Sequence, residues 1–141
     1  SMQAINAANT GHSVITTIHA NSCEDTYYRM VTLCKQEQPG MDDATLQNLA
    51  TKAFPIVAFA KRLEDNSRRI MEITECETLQ DGRKKMRTLY RVNITDKIIV
   101  EGKPKIIGHY EKVENLSEGL QKRLRENGLP LKMQEQFLAK R

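Results

Sequence analysis

Tryptophan is missing from this chain, and aromatic residues make up only 5% of it. So few rings argue against a nucleic-acid surface, which sets aromatics beside a one-sided basic stripe. No apolar run approaches the ~20 residues of a membrane-crossing helix, and no secretory signal opens the chain. Cysteine occurs three times, as Cys23, Cys34 and Cys76, without a CxxC pair. That odd count argues against a disulfide framework and fits a reducing cytoplasm. The spacing of His12, His19 and Cys23 follows no standard zinc pattern, so no metal site is expected. There is also no GxxxxGK[ST], so no loop here can cradle phosphates in the P-loop manner. No hydrophobic strand ending in Asp or Glu precedes the histidines to hold Mg²⁺.

What is present suits one compact, water-soluble domain. Of 141 residues, 39% are hydrophobic and 28% charged, enough for a real core. The net charge of +4 is small, and acids interleave with bases, as in Glu111-Lys112-Val113-Glu114. The one basic cluster, Arg83-Lys84-Lys85-Met86-Arg87, follows Asp81-Gly82 and reads as a solvated hairpin tip. Nucleic acid is therefore not an expected partner.

Residues 3–8 read as the end of a helix stopped at Asn9-Thr10-Gly11, with Gly11 as its left-handed cap. Ser1-Met2 reads as a leftover of expression, which would make the chain a piece of a longer protein. Val14-Ile15-Thr16-Thr17-Ile18 is β-branched throughout and predicts a buried strand. Ser22 can then cap a helix with Tyr27, Met30, Val31 and Cys34 on its buried face. Asp42 or Asp43 can cap a second, with Leu46, Leu49, Ala50 and Ala53 inward, ended by Pro55. The pair covers 22–54. The period then falls to two. Ile56-Val57-Ala58-Phe59-Ala60 reads as a central strand, and Arg69 to Cys76 as its antiparallel partner. Alternating Met86, Thr88, Tyr90, Val92 and Ile94 follow. Thr95-Asp96-Lys97 and Gly102-Lys103-Pro104 flank two further short runs, so antiparallel strands fill 55–111. Ser117 can cap a closing helix with Leu120 and Leu124 inward, ended by Asn127-Gly128. Pro130 opens a last segment with Met133, Phe137 and Leu138, giving helices over 116–139.

The chemistry-bearing residues cluster over 10–22. His12 and His19 flank the predicted strand, with Thr16, Thr17, Asn21 and Ser22 beside them. An imidazole near neutral pH can donate to a phosphate oxygen or orient a water, and hydroxyls at a helix start also favour anions. This set suits sensing of a nucleotide's state or support of phosphoryl transfer. A single histidine beside a strand is more often structural; two with these neighbours favour a ligand-facing corner.

Thr10-Gly11-His12 followed by Thr16-Thr17-Ile18-His19-Ala20-Asn21-Ser22 resembles the His box of the type II/type IV secretion ATPases. Ala60-Lys61-Arg62-Leu63-Glu64-Asp65-Asn66-Ser67-Arg68-Arg69, then Ile73-Thr74-Glu75, is similar to the CpaF-type members that assemble Tad (Flp) pili. Gly128-Leu129-Pro130 and Phe137 resemble the same group's end. The resemblance implies an α/β fold: the C-terminal portion of a RecA-like P-loop ATPase domain, carrying an antiparallel β-meander and C-terminal helices. It implies His19 and His12 as catalytic residues near the γ-phosphate, with Gly11, Thr16, Thr17, Asn21 and Ser22 supporting the nucleotide site. Arg29 and Arg62 match basic positions with an interface or site-support role. ATP and Mg²⁺ are the implied cofactors of the parent protein, with none bound by this chain alone. The implied partners are further copies in a hexamer and platform proteins of a pilus or secretion machine, at the cytoplasmic face of the inner membrane. Without the phosphate-binding motifs the chain alone is expected to be inactive. The alternative reading is a non-catalytic binding or oligomerisation module that docks membrane partners or nucleic acid.

Overall fold

The computed structural model describes residues 1–137, so Leu138 and the end of the segment over 116–139 lie outside the described residues. The elements run α1 (Met2–Asn9), α2 (Cys23–Glu37), α3 (Asp43–Ala53), β1 (Ile56–Arg62), β2 (Arg68–Thr78), β3 (Lys84–Val100), β4 (Lys103–Lys112), α4 (Glu118–Glu126) and α5 (Leu131–Phe137). Among the described residues this is a mixed α/β fold in which four strands form one sheet in the order β1-β2-β3-β4. It divides into two compact units, one of Ser1–Val57 with Cys76–Met86, the other of Ala58–Glu75 with Arg87 onward.

Local chemistry sets the helix ends in the first unit. The Ser22 hydroxyl accepts from the Asp25 amide at 3.0 Å and starts α2. Asp42, rather than Asp43, caps α3 by accepting from the Thr45 amide at 2.8 Å. Such caps each hold about 0.5–2 kcal/mol. The three helices close over Met2, Ile5, Met30, Cys34, Leu46 and Ala50. Each large side chain there contributes roughly 1.5–3 kcal/mol by leaving water. Cys34 is fully buried among them, and that burial pushes its thiol above the ordinary range, as suits a core residue rather than a nucleophile.

Two sequence expectations change. Residues 13–20 form neither helix nor strand, and Ile15 is 97% exposed. A strand exists only where a second backbone pairs with it, and none among the described residues does so here. Ile18 alone of the segment's large apolar residues packs against the helical core. Likewise β1 is an edge strand, not a central one, because only β2 flanks it; Ile56 is left 40% exposed.

In the second unit β3 is continuous through Thr95-Asp96-Lys97, where a break was expected. The register with β4 instead shifts between Ile94 and Asp96, which leaves Thr95 as the extra residue of a bulge. Gly108 faces this irregularity: a Cβ there would meet the Asn93 carbonyl oxygen at 2.7 Å, so no other residue fits without displacing backbone.

Two long-range polar clasps hold this unit. Asp65, in the β1–β2 turn, accepts from the Ser67 amide at 3.0 Å and from the Ile106 amide of β4 at 2.9 Å. Arg69 donates to the Ile106 carbonyl and lies 3.4 Å from Asp65. Both backbone groups of Ile106 on edge strand β4 are thereby satisfied. The Ser67 hydroxyl, ahead of the Ile106 amide, holds the Asp65 carboxyl down at about 2. A depressed carboxylate stabilises the fold above its unfolded value, and that contribution fades as pH falls towards the folded value. The thermal midpoint is therefore expected to drop between about pH 4 and pH 2. Glu37, hydrogen-bonded by the Ser1 hydroxyl, and Asp42, hydrogen-bonded by the Thr45 hydroxyl, are also lowered. The diagnostic measurement is thus the difference between wild type and Asp65→Asn, which should shrink with acidification; a constant difference would contradict this assignment.

The second clasp joins β2 to α4. Glu75 is buried and accepts from the Ser117 amide at 2.8 Å and from the Ser117 hydroxyl. Ser117 Oγ in turn accepts from the Leu120 amide at 3.1 Å and caps α4. Gln134 Nε2 donates to the Gln121 carbonyl at 3.1 Å, tying α5 to α4.

Candidate functional site

The histidine segment begins where α1 ends. Thr10 is the C-cap, and Gly11 follows with φ +95, a conformation open to glycine and costly for other residues. The reversal lets the His12 amide donate to the Ala7 carbonyl at 3.1 Å. His12 Nδ1 then lies 3.4 Å from the Thr10 hydroxyl, which donates to the Asn6 carbonyl at 2.9 Å. His12 is thus held near the helix end while its ring stays exposed.

Thr16, Thr17 and His19 are exposed as well. No hydrogen bond among the described residues joins His19 to His12 or to any other side chain, so the segment presents the two rings separately. Asn21 and Ser22 have defined local partners. The Asn21 amide donates to Asp25 at 3.0 Å, and the Ser22 hydroxyl is taken up by the α2 cap. Glu24 and Asp25 occupy the first turn of α2, so the positive end of that helix already faces two carboxylates. An anion at this corner must therefore draw on His12, His19 and the threonine hydroxyls.

Arg29 projects from α2 into solvent. Arg62, in the second unit, is exposed at the end of β1 and donates to Asn66 Oδ1 at 2.7 Å. Asn66 has φ +65 in the turn it stabilises. The box residues line neither of two surface grooves. One, of about 720 Å³, lies in the first unit among Tyr27, Tyr28, Val31, Gln47, Asn48 and Met86. The other, of about 270 Å³, lies in the second unit.

Among the described residues no three His, Cys, Asp or Glu side chains gather to hold a metal ion, and no helix is long and apolar enough to cross a membrane. The polar groups this segment exposes are two imidazoles and two threonine hydroxyls. They supply neither a lysine-bearing phosphate loop nor a carboxylate pair for Mg²⁺.

A family model described as type II/IV secretion system protein matches residues 1–138. The chain belongs to that family. No curated protein matches it. In this secretion-system chain two groups of residues escaped sequence reasoning: the Asp65–Arg69 clasp on Ile106 and the Glu75–Ser117 clasp on α4. Asp65-x-Ser67 has the spacing of an Asx turn, a local signal for the first. No local signal marks the second, because its partners are 42 residues apart.

Proposed function

We propose that this chain is the C-terminal portion of a RecA-like ATPase domain that powers pilus assembly or protein secretion, of the CpaF type. His19 contacts the γ-phosphate region, His12 and Gly11 shape the same corner, and Thr16 and Thr17 add hydroxyl donors. ATP and Mg²⁺ are held chiefly by a phosphate loop and acidic residues from another part of the protein. The working unit is a hexamer docked through platform proteins at the inner face of the membrane.

The observation that carries this reading is the unpaired segment 13–20. A β-branched run with Ile15 97% exposed and its backbone outside any ladder has the makings of a strand waiting for a sheet. The family match supports the machine to which the domain belongs.

The chain alone should not hydrolyse ATP, since no group here replaces the phosphate loop. Incubation of the purified chain with ATP and Mg²⁺ should release phosphate no faster than buffer. Turnover by the isolated chain that His19→Ala abolishes would contradict the proposal.

A further inference from the structure

The second unit carries an apolar protrusion and an apolar hollow, each open to solvent. The protrusion is the tip of the β3–β4 hairpin. Its turn residues Glu101 and Gly102 have φ of +52 and +75, the signature of a two-residue primed turn. The register sets Ile98 opposite Lys105, Ile99 opposite Pro104 and Val100 opposite Lys103. Residues directly opposite share a face, so Ile98 and Val100 project from one side of the ribbon and Ile99 from the other. All three are exposed, Ile99 by 65%. A flat surface could cover only one side of such a tip; a recess that admits it covers both.

The hollow, about 270 Å³, is lined by Ile70, Glu72, Ile73, Tyr90, Arg91 and Tyr110. It lies below the roughly 300–1,000 Å³ usual for a drug-sized ligand and suits aliphatic side chains better. Tyr110 is 61% exposed there. Along β4, Tyr110 stands six residues from Pro104, the residue opposite Ile99, about 20 Å of paired strand. A hairpin held in one ladder cannot fold its own tip back over that distance. The charges match as well. Arg91 borders the hollow and Glu101 sits at the tip, so Glu101 can meet Arg91; Glu72, which also borders the hollow, already accepts from the Thr74 and Thr88 hydroxyls. The present ion pair of Arg91 with Glu111, 3.4 Å long and exposed, is of a kind that holds little and exchanges readily.

We propose that a second copy of this chain seats its β3–β4 tip in this hollow. Every copy then offers one tip and one hollow, so two copies can exchange tips in a closed pair, or successive copies can propagate the contact head-to-tail into a ring or open chain. It gives the proposed ring a surface, and only its role in that ring rests on the ATPase reading. A single tip buries less than the ~1,000 Å² of a durable interface, so one contact is weak. Closure strengthens it, because each copy is then held twice.

Sedimentation of the chain over a concentration series tests this without any measurement of turnover. Wild type should associate reversibly, as a dimer if tips are exchanged and into larger species if the contact propagates. Ile99→Glu, which removes the tip, and Tyr110→Glu, which removes the hollow, should each be monomeric with unchanged circular dichroism. Mixed together they should form a one-to-one pair and nothing larger, since each retains what the other lacks. Arg91→Glu and Glu101→Lys, both at exposed positions, should each weaken association about five- to tenfold. The two combined in one chain should restore it. A monomeric wild type, intact association in both glutamate variants, or a mixture that fails to pair would overturn the proposal. So would binding of the tip to anionic vesicles by a wild type that stays monomeric, which would assign the tip to a membrane instead.

Discussion

On the ATPase reading proposed above, replacing His19 by alanine in the complete protein should lower kcat for ATP by about 10²–10³, the usual loss when one preorganised donor to a reacting centre is removed. Its ring is exposed and makes no hydrogen bond among the described residues, so the substitution leaves no buried group unsatisfied and should shift the melting temperature little. That separation matters: a fall in turnover can then be read as lost chemistry rather than lost fold. If the imidazole acts mainly as the γ-phosphate leaves, kcat should fall while KM for ATP changes little. His12→Ala should act more gently, since His12 is tied to the α1 end through its amide and the Thr10 hydroxyl. Unchanged turnover in the His19 variant would remove the box from the reaction.

The largest stability effect is expected at Glu75. Its two oxygens receive the Ser117 amide and hydroxyl inside the second unit, where Glu75 is 2% exposed. Glu75→Ala leaves both donors buried with no acceptor and opens a cavity. Hydrogen bonds to a charged group contribute about 1.5–3 kcal/mol each, and losing one partner of a buried pair adds the desolvation of the other. A loss of about 3 kcal/mol is expected, read as a lower urea midpoint at unchanged slope. Glu75→Gln keeps one acceptor oxygen and should lose roughly half as much. Because Ser117 also caps α4, limited proteolysis should cut the Glu75→Ala variant first around 113–120. Cleavage elsewhere, with α4 intact, would show that the clasp does not hold the helix.

What could be read in advance divides along a physical line. The caps at Ser22, Asp42 and Ser117 were legible because a hydroxyl or carboxylate three residues before an amide is a local arrangement. The buried face of Tyr27, Met30 and Cys34 was legible for a similar reason, since helical periodicity needs no knowledge of the partner. Strands differ. The run 14–18 has every β-branched residue a strand could want, yet it is unpaired, and β1 reads as central while lying at an edge. Pairing is set by whatever lies alongside, which neither run encodes. The bulge at Thr95 was hidden for the same reason, as a register shift is a property of two strands. Of the candidate site, the sequence located both histidines and their hydroxyl neighbours. The Ser22 cap, legible in advance, takes up a hydroxyl that the resemblance places at the nucleotide site.

On the proposed function, residues 13–20 become a strand of a nucleotide-binding sheet once the rest of the ATPase domain is present. Hydrogen exchange tests it most directly. In the chain alone, amides over 13–20 should exchange at rates close to an unstructured peptide, since no ladder covers them. In the complete protein the same amides should be protected, with added protection around His19 when a non-hydrolysable ATP analogue and Mg²⁺ are added. Amides over 13–20 that exchange equally fast in both forms, with or without nucleotide, would contradict the account.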